Sequence, residues 1–541
     1  MPEEQKKILT KPINLSSYTK ALVEALKSIN VKPKPDEFSK LSVSQTVSFF
    51  AIFYEKVRNA VEYREDHLIR RAAIERILKR RFMLNPQGKG EAENLIREIM
   101  WARYFDNESL GTEDIKNIQN IINKYVLIKK KIINGRTSNT QQFLSQFIYD
   151  LMTCEIEEAL SPDTALKYNS FLFFIYQVLR RKIKIEGLTE NQKDAFFLVA
   201  LEKTYRRSDQ SYQRYHLFIT FYKSISKYSY DELEEISTQL PEIFTNVDKM
   251  IASPYVNKIV KFSKKQLPAF LILFSIFDKK KKELINILTD KSKLWNEVDS
   301  VCREKYQGLK SRLKTLAIRS FIYIFLTKML FALILEYPVS KYIYGYVDTQ
   351  SIVINSLFPP ILMLISISLF KIPGEQNTKR IYHRIIHIID ADKSFEEKIA
   401  FMPKKQKEKR PILVFGFTIF YLLTFIITFA LIIEGLSLLN FNIISTCIFV
   451  FFLSLVTFFS YRIKQTLNEY RQFEKEGVFE PILDFFFMPI LSLGKFFSRG
   501  LARLNFFIFI FDFIIEAPFK FIFEIVEEWI SFVKKRKEEI E

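Results

Sequence analysis

Four apolar runs between residues 316 and 463 limit what this chain can become more than any other feature. They are Leu316–Tyr337, interrupted by Lys328; Ile352–Ile372, containing Pro359-Pro360; Pro411–Leu436, with Glu434 near its end; and Leu438–Ile463. Each supplies about 20 residues, enough for a helix to cross ~30 Å of hydrocarbon. Backbone polar groups in a bilayer must be satisfied within the segment, so helix is the expected form. A core helix in a soluble protein rarely stays apolar on all sides for so long.

Charge between the runs sets the expected orientation. Arg312, Lys314 and Arg319 precede or enter the first run. The stretch from Lys371 to Arg410 holds 11 Lys/Arg against 6 acids, and Arg462, Lys464 and Arg471 follow the fourth run. The intervening Tyr337–Ser351 segment has only Lys341, and Gly435–Asn440 has no basic residue. Four spans with both termini in the cytosol of a bacterial cell satisfy every one of these segments. The first 20 residues lack an apolar core of about 7–15 residues, which fits a cytosolic start.

Ionisable groups inside such runs are functional candidates by default. Lys328 falls near the middle of the first run, with Glu336 and Glu434 near the outer ends of theirs. The three residues could form a polar lining for an ion or solute. The plainer reading is a Lys facing neighbouring helices or snorkelling to an interface, with the two acids among headgroups. Pro359-Pro360 predicts a kink.

Residues 477–533 are rich in Phe but carry charges at regular spacing. Asp512, Glu516, Lys520, Glu524 and Glu528 recur every four positions, a narrow polar stripe suited to a helix lying in the membrane plane. Lys495, Arg499 and Arg503 repeat that spacing with positive charge and would face anionic lipid headgroups. A re-entrant hairpin packed among the spans is the alternative. The charged tail 534–541 begins Lys534-Lys535-Arg536-Lys537 and suits the cytosolic surface.

Residues 1–315 read as a polar domain of many helices. The segment Val43–Phe82 holds neither Gly nor Pro, which predicts one helix of ~60 Å and a coiled-coil or bundle contact. The loop Asn85-Pro86-Gln87-Gly88-Lys89-Gly90 has a Gly-Lys pair without phosphate-loop spacing and reads as a helix terminator. Tyr205, Arg206, Arg207, Tyr212, Arg214, Tyr215 and His216 interleave rings and cations. A solvated helix pair with cation–π contacts is expected there, in preference to nucleic-acid binding. Leu267–Phe277 is apolar but too short to span, and suits the membrane surface or a buried position.

The net charge of +19 needs no nucleic acid, because basic cytosolic segments already account for it. His383 and His387, with Asp390 one turn on, could hold Zn²⁺. Ile381, Ile385, Ile388 and Ile389 lie opposite, so the pair also reads as the wet side of an amphipathic helix beside the membrane. Cys154, Cys302 and Cys447 have neither metal nor redox spacing. No recognised catalytic or cofactor-binding fingerprint occurs, so no cofactor is expected and the reading leans away from an enzyme.

The run Tyr54-Glu55-Lys56-Val57-Arg58-Asn59-Ala60-Val61-Glu62-Tyr63, continuing from Asp66-His67-Leu68-Ile69-Arg70-Arg71 to Lys79-Arg80-Arg81, is similar to a family of multi-span membrane proteins from small-genome bacteria of the candidate phyla radiation. The resemblance covers about 30 residues and the general layout. It implies a membrane protein and brings no activity and no site residue with it.

The sequence therefore predicts an all-α protein: a cytosolic helical domain at 1–315, four transmembrane helices within 316–463 with a basic loop at 373–410, and interfacial amphipathic helices at 477–533. A non-enzymatic anchor or scaffold that docks a protein partner, in cell-envelope assembly or secretion, is the leading expectation. A transporter or channel subunit is the second, and a lipid-modifying enzyme at the inner interface the third. The expected contacts are the bilayer, its anionic headgroups and a protein partner; self-association is left open.

Overall fold

The structure is a computed structural model that describes residues 12–29, 40–43, 65–185, 187–280, 283–345, 349–390, 411–472 and 480–502, with single positions 48, 55, 525, 529, 532 and 533. Among the described residues there is no strand, only two isolated bridges, Leu15 to Asp390 and Lys40 to Gly111.

The helices of the N-terminal body are α1 (Ser17–Lys27), α2 (Asp66–Leu84), α3 (Glu91–Trp101), α4 (Thr112–Ile133), α5 (Ser138–Leu160) and α6 (Pro162–Arg180). After them come α7 (Glu190–Leu201), which runs into a π turn at Glu202–Arg206, and α8 (Gln210–Phe221). The body continues through α9 (Tyr230–Ser237), α10 (Leu240–Ile251), α11 (Pro254–Lys279) and α12 (Leu284–Thr289). Local chemistry sets several starts. Ser16, Thr189, Asp209, Ser229 and Asp290 each accept a backbone N–H of the first helical turn, satisfying donors that have no partner inside the helix.

The segment expected to form one long helix from Val43 does not. Its helix α2 starts at Asp66, because Glu65 is extended (ψ 148°) and its carbonyl receives the amides of Leu68 and Ile69. The long rod lies elsewhere. Helix α13 (Lys291–Phe331) passes through a second π turn, Ala332–Glu336, into α14 (Tyr337–Tyr344), so that Lys291–Ile343 is one helical stretch of 53 residues. The change from polar to apolar sequence near Leu316, expected to separate two helices, is a change of surroundings and not of backbone.

The remaining elements are α15 (Thr349–Ser368), α16 (Glu375–Ile389), α17 (Pro411–Ser437), α18 (Ile443–Leu467) with a 3₁₀ turn at Asn468–Tyr470, and α19 (Glu480–Ala502). Among the described residues, four helices are long and apolar enough to cross a membrane, within Lys291–Ile343, Thr349–Ser368, Phe415–Ser437 and Ile443–Tyr470. Their apolar side chains are not folded into a globule: only 6% of the most apolar window of the third helix is buried. Phe415, Phe417 and Leu431 stand about as exposed as a free surface allows, and a soluble chain rarely exposes so large an apolar area.

One core unites α1 through the first part of α13 with α16. Ile381, Ile385, Ile388 and Ile389 of α16 are buried in it, against α11 and α13, so this helix presents its apolar face to the body and not to a membrane surface. Phe270, Leu273, Ile276 and Phe277 of α11 are buried there too, which decides for the buried position of that apolar stretch. The apolar helices form separate small cores, one around Met363, Ile367 and Val456 and one around Leu436, Phe441 and Phe449.

Helix α19, from the section expected to lie in the membrane plane, packs chiefly on α18 and then on α17. A Cβ on its Gly494 would collide with the Ser454 carbonyl and with Phe458 of α18, so the two backbones approach as closely as only glycine permits. Tyr421 and Ser492 hydroxyls meet at 3.0 Å, and Phe420 stacks on Phe485. The charged stripe from Asp512 to Glu528 and the tail 534–541 lie outside the described residues.

Candidate functional site

The polar centre among the long apolar helices begins at Lys328 on α13. Its Nζ lies 3.4 Å from Oε2 of Glu336, and both side chains are fully buried. These residues are eight apart, and at about 100° per residue an α-helix would set them roughly 80° apart. The π turn between them absorbs one extra residue, so the interval behaves like about seven α-helical residues and leaves roughly 20°. Pro338 supplies a cause: it has no N–H to donate and its ring would crowd the carbonyl of Ile334 in a regular helix.

Asn355 of α15 completes the centre. Its Nδ2 donates to Glu336 Oε1 at 2.6 Å and to the carbonyl of Ser445 on α18 at 3.1 Å, while Phe452 of α18 places its ring 4.8 Å from Lys328 Nζ. Three helices are thus fastened through one carboxylate. Glu434, the third residue expected here, is exposed on α17 and does not join them. A cavity of about 350 Å³ between α13 and α15 is lined by Phe325, Met329, Leu333, Ser356 and further, mostly apolar side chains, with neither Lys328 nor Glu336 in its lining.

A second polar centre fills the body along α5. Glu157 accepts from Arg70 and from Tyr212, each at 2.6 Å. Arg71 bridges Glu75 and Asp209 at 2.8 and 2.9 Å, and Arg214 bridges Asp150 and Asp248. The π turn brings Glu202 and Arg206 to His216. Protonated His216 donates from Nδ1 to Glu202 at 2.7 Å and from Nε2 to Glu158 at 2.9 Å, while Arg206 reaches Glu158 at 3.0 Å. Two carboxylates and two cations balance. Burial opposes the charge on His216, yet Glu202 and Glu158 hold its pKa up at about 9. The same contacts overcome burial at Glu158 and hold it down at about 2. His67, buried with Arg206 nearby, is pushed down to about 3.

Of the cations expected on a solvated helix pair, Arg206, Arg214 and His216 therefore lie inside the protein, while Arg207 is exposed. Arg206 sits over Tyr168 and Tyr212, and Arg214 over Phe147, so the cation–π contacts are present while the solvent is not. The carboxylates Asp150, Glu157 and Glu158 carry no sequence mark of this role. A run with acids on every side of one amphipathic helix is the only signal that could have pointed to them.

His383 and His387 are exposed on α16, and Asp390 is tied at its backbone to Leu15. No group of three potential metal ligands occurs among the described residues. Lys495 is exposed on α19. Arg499 is in the same helix, and Arg503 lies outside the described residues.

A large concave surface lies on the body. It is an open groove of about 1310 Å³ between α2, α4 and the N-terminal half of α5, with Lys79, Lys89, Lys129 and Lys130 along it and no carboxylate in its lining. No family model, curated protein or solved structure matches the chain.

Proposed function

We infer that the protein is a non-enzymatic anchor that holds a large helical body on a membrane and presents it to a protein partner. The observation that carries this reading is the unbroken helix Lys291–Ile343. Its first half belongs to the core of the body, and its second half is apolar enough to enter a bilayer. A rigid rod of this kind transmits position, which suits docking; a flexible tether would not. Asp150, Glu157 and Glu158 are each paired with Arg, Tyr or His side chains of the body, which supports a structural use for them. The same reading puts the four apolar helices in a bacterial cytoplasmic membrane with body and both termini cytosolic, supported by the alternation of basic and nearly neutral segments. Lys495, Arg499 and Arg503 would then meet anionic headgroups.

The alternative, a transporter or channel subunit lined by Lys328, Glu336 and Glu434, gains support only from the first two being ionisable and intramembrane. They are sealed, and Glu434 faces away, so a helix-fastening role fits them better. Cross-linking in intact membranes, followed by purification of the tagged chain, tests the anchor reading. A stoichiometric protein cross-linked to residues before 315 is expected; cation or solute flux in liposomes, abolished by Lys328→Leu, would overturn it in favour of the alternative.

A further inference from the structure

The groove on the body has a shape and a charge that together specify an occupant. Gln119, Asn123, Val126, Leu127, Lys130 and Ile133 recur at three- to four-residue spacing and make one wall from a single face of α4. From Gln119 to Ile133 that wall runs ~21 Å, close to four turns of helix. Phe82, Val126 and Leu127 give an apolar floor, and Met83 at the rim is 65% exposed. Apolar contact from Val126, Leu127 and Ile133 on one side and Phe82 and Met83 on the other, within a longer polar-edged wall, is what the apolar face of an amphipathic helix needs when it lies in a groove.

The charges are unbalanced. Lys129 Nζ lies 4.4 Å from the centre of the Tyr149 ring and 3.2 Å from its hydroxyl, and Lys79 Nζ approaches the same ring at 5.2 Å. Lys79 is answered by Glu75 at 2.7 Å. Lys89, Lys129 and Lys130 have no carboxylate partner among the described residues. Three unanswered ammonium groups around an apolar floor attract carboxylates set beside apolar side chains. Nucleic acid would match the charge but would leave the apolar floor without a partner, since its outer surface is phosphate. Lipid headgroups would need the groove near the long apolar helices; instead it is built on α2, α4 and α5, whereas those helices join the body through α11, α13 and α16.

We propose that this groove binds an acidic amphipathic helix of a partner protein, its apolar side on Phe82, Val126 and Leu127 and its carboxylates on Lys89, Lys129 and Lys130. The proposal rests on the anchor reading, and it names the chemistry of what is anchored.

The test uses the full chain in detergent and three labelled peptides of about 15 residues, the length of the wall at ~1.5 Å per residue. The first has Leu on one helical face and Glu on its flanks. The second has the same composition in an order without helical period, and the third carries Lys in place of Glu. Fluorescence anisotropy should show the first binding at least about tenfold more tightly than either other, a difference of ~1.4 kcal/mol. Lys130→Glu, at an exposed position that does not bear on folding, should weaken the first peptide. Lys129→Glu with Lys130→Glu should reverse the preference in favour of the Lys peptide, which also proves that variant folded. Equal binding of the period-less peptide, no binding of the first, or displacement of the first by single-stranded oligonucleotide or by phosphatidylglycerol vesicles would each overturn the proposal. A partner cross-linked to the body while the acidic helix fails to bind would overturn it and leave the anchor reading standing.

Discussion

Arg207 and Glu469 join the two halves of this molecule: the guanidinium Nη2 lies 2.5 Å from the carboxylate that follows the fourth long apolar helix. Arg207 is held there by its own backbone. It ends the first π turn in the left-handed region, φ 55°, and its other nitrogen meets Glu65 at the start of α2 at 2.8 Å. Beside it, Asn377 of α16 donates to the Tyr306 hydroxyl of α13 and to the Tyr470 carbonyl, and accepts the amide of Gln472. The junction is thus polar and spread over several elements.

Arg207 is 48% exposed, so solvent screens its ion pairs. Arg207→Glu should therefore cost only about 0.5–1 kcal/mol of global stability. Its local effect should be larger: amide exchange across residues 468–472 is expected to rise several-fold. Pairing Arg207→Glu with Glu469→Arg should bring exchange back toward the wild-type rate. Unchanged exchange in the single variant would mean that Asn377 and Tyr470 hold the junction without the ion pair.

The pair Lys328–Glu336 behaves oppositely, because both side chains are fully buried and solvent cannot take over from a missing partner. Removing one charge should cost about 3–5 kcal/mol, since it strands the other in an apolar surround. Replacing both at once, Lys328→Met with Glu336→Leu, should restore most of that stability. Unfolding in mixed micelles of increasing denaturing-detergent fraction measures it. A double variant as unstable as the singles would indicate that Glu336 matters mainly through Asn355.

His67 and His216 should give the body a stability maximum near neutrality. The folded pKa of His216, about 9, lies above the ~6.5 of an unfolded imidazole, so its contribution is complete below pH ~6.5 and is lost as pH rises through about 9. The folded pKa of His67, about 3, lies below that reference, so its contribution is present above pH ~6.5 and is lost as pH falls through about 3. Glu75 and Glu158, each held at about 2 by cations that outweigh burial, add to the loss in acid. Circular-dichroism melts at about pH 5, 6.5 and 8.5 should be highest at the middle value. His216→Gln should lower the peak and flatten the alkaline limb. An alkaline limb of unchanged slope in that variant would exclude His216 as its source.

How much of this was legible follows from the range of the interactions. The four long apolar helices come from runs of about 20 residues, a signal held within each segment. The start of α2 was hidden because Glu65 turns the chain with an ordinary side chain, where only Gly or Pro would have been visible. The continuity of α13 across Leu316 was hidden because polarity changes there while the backbone does not. Lys328 and Glu336 were each conspicuous, but their pairing depends on a π turn that the spacing does not announce, and Asn355 is a neutral residue from another helix. Glu434 was conspicuous for the same reason as Glu336 and has no such geometry. The ion network on α5 was the least legible. Its partners come from 30 to 90 residues away, as with Arg70 and Glu157, and no local period encodes them.

The last prediction concerns the contact between α18 and α19. Because a Cβ at Gly494 would meet backbone at Ser454 and not a flexible side chain, the helices must separate to accept even alanine. Overpacking of this kind costs about 1–3 kcal/mol. Gly494→Ala should therefore loosen α19 without unfolding the body, whose core is distinct from that of α18. Two readouts separate the effects. Amide exchange along α19, whose Ser492 hydroxyl meets that of Tyr421, should be slow in the parent chain and several-fold faster beside Gly494→Ala. The melt of the body, followed by the near-ultraviolet signal of its buried tyrosines, should stay in place. Unchanged exchange in α19 beside Gly494→Ala would mean that α17, and not the glycine contact on α18, holds α19 where it lies.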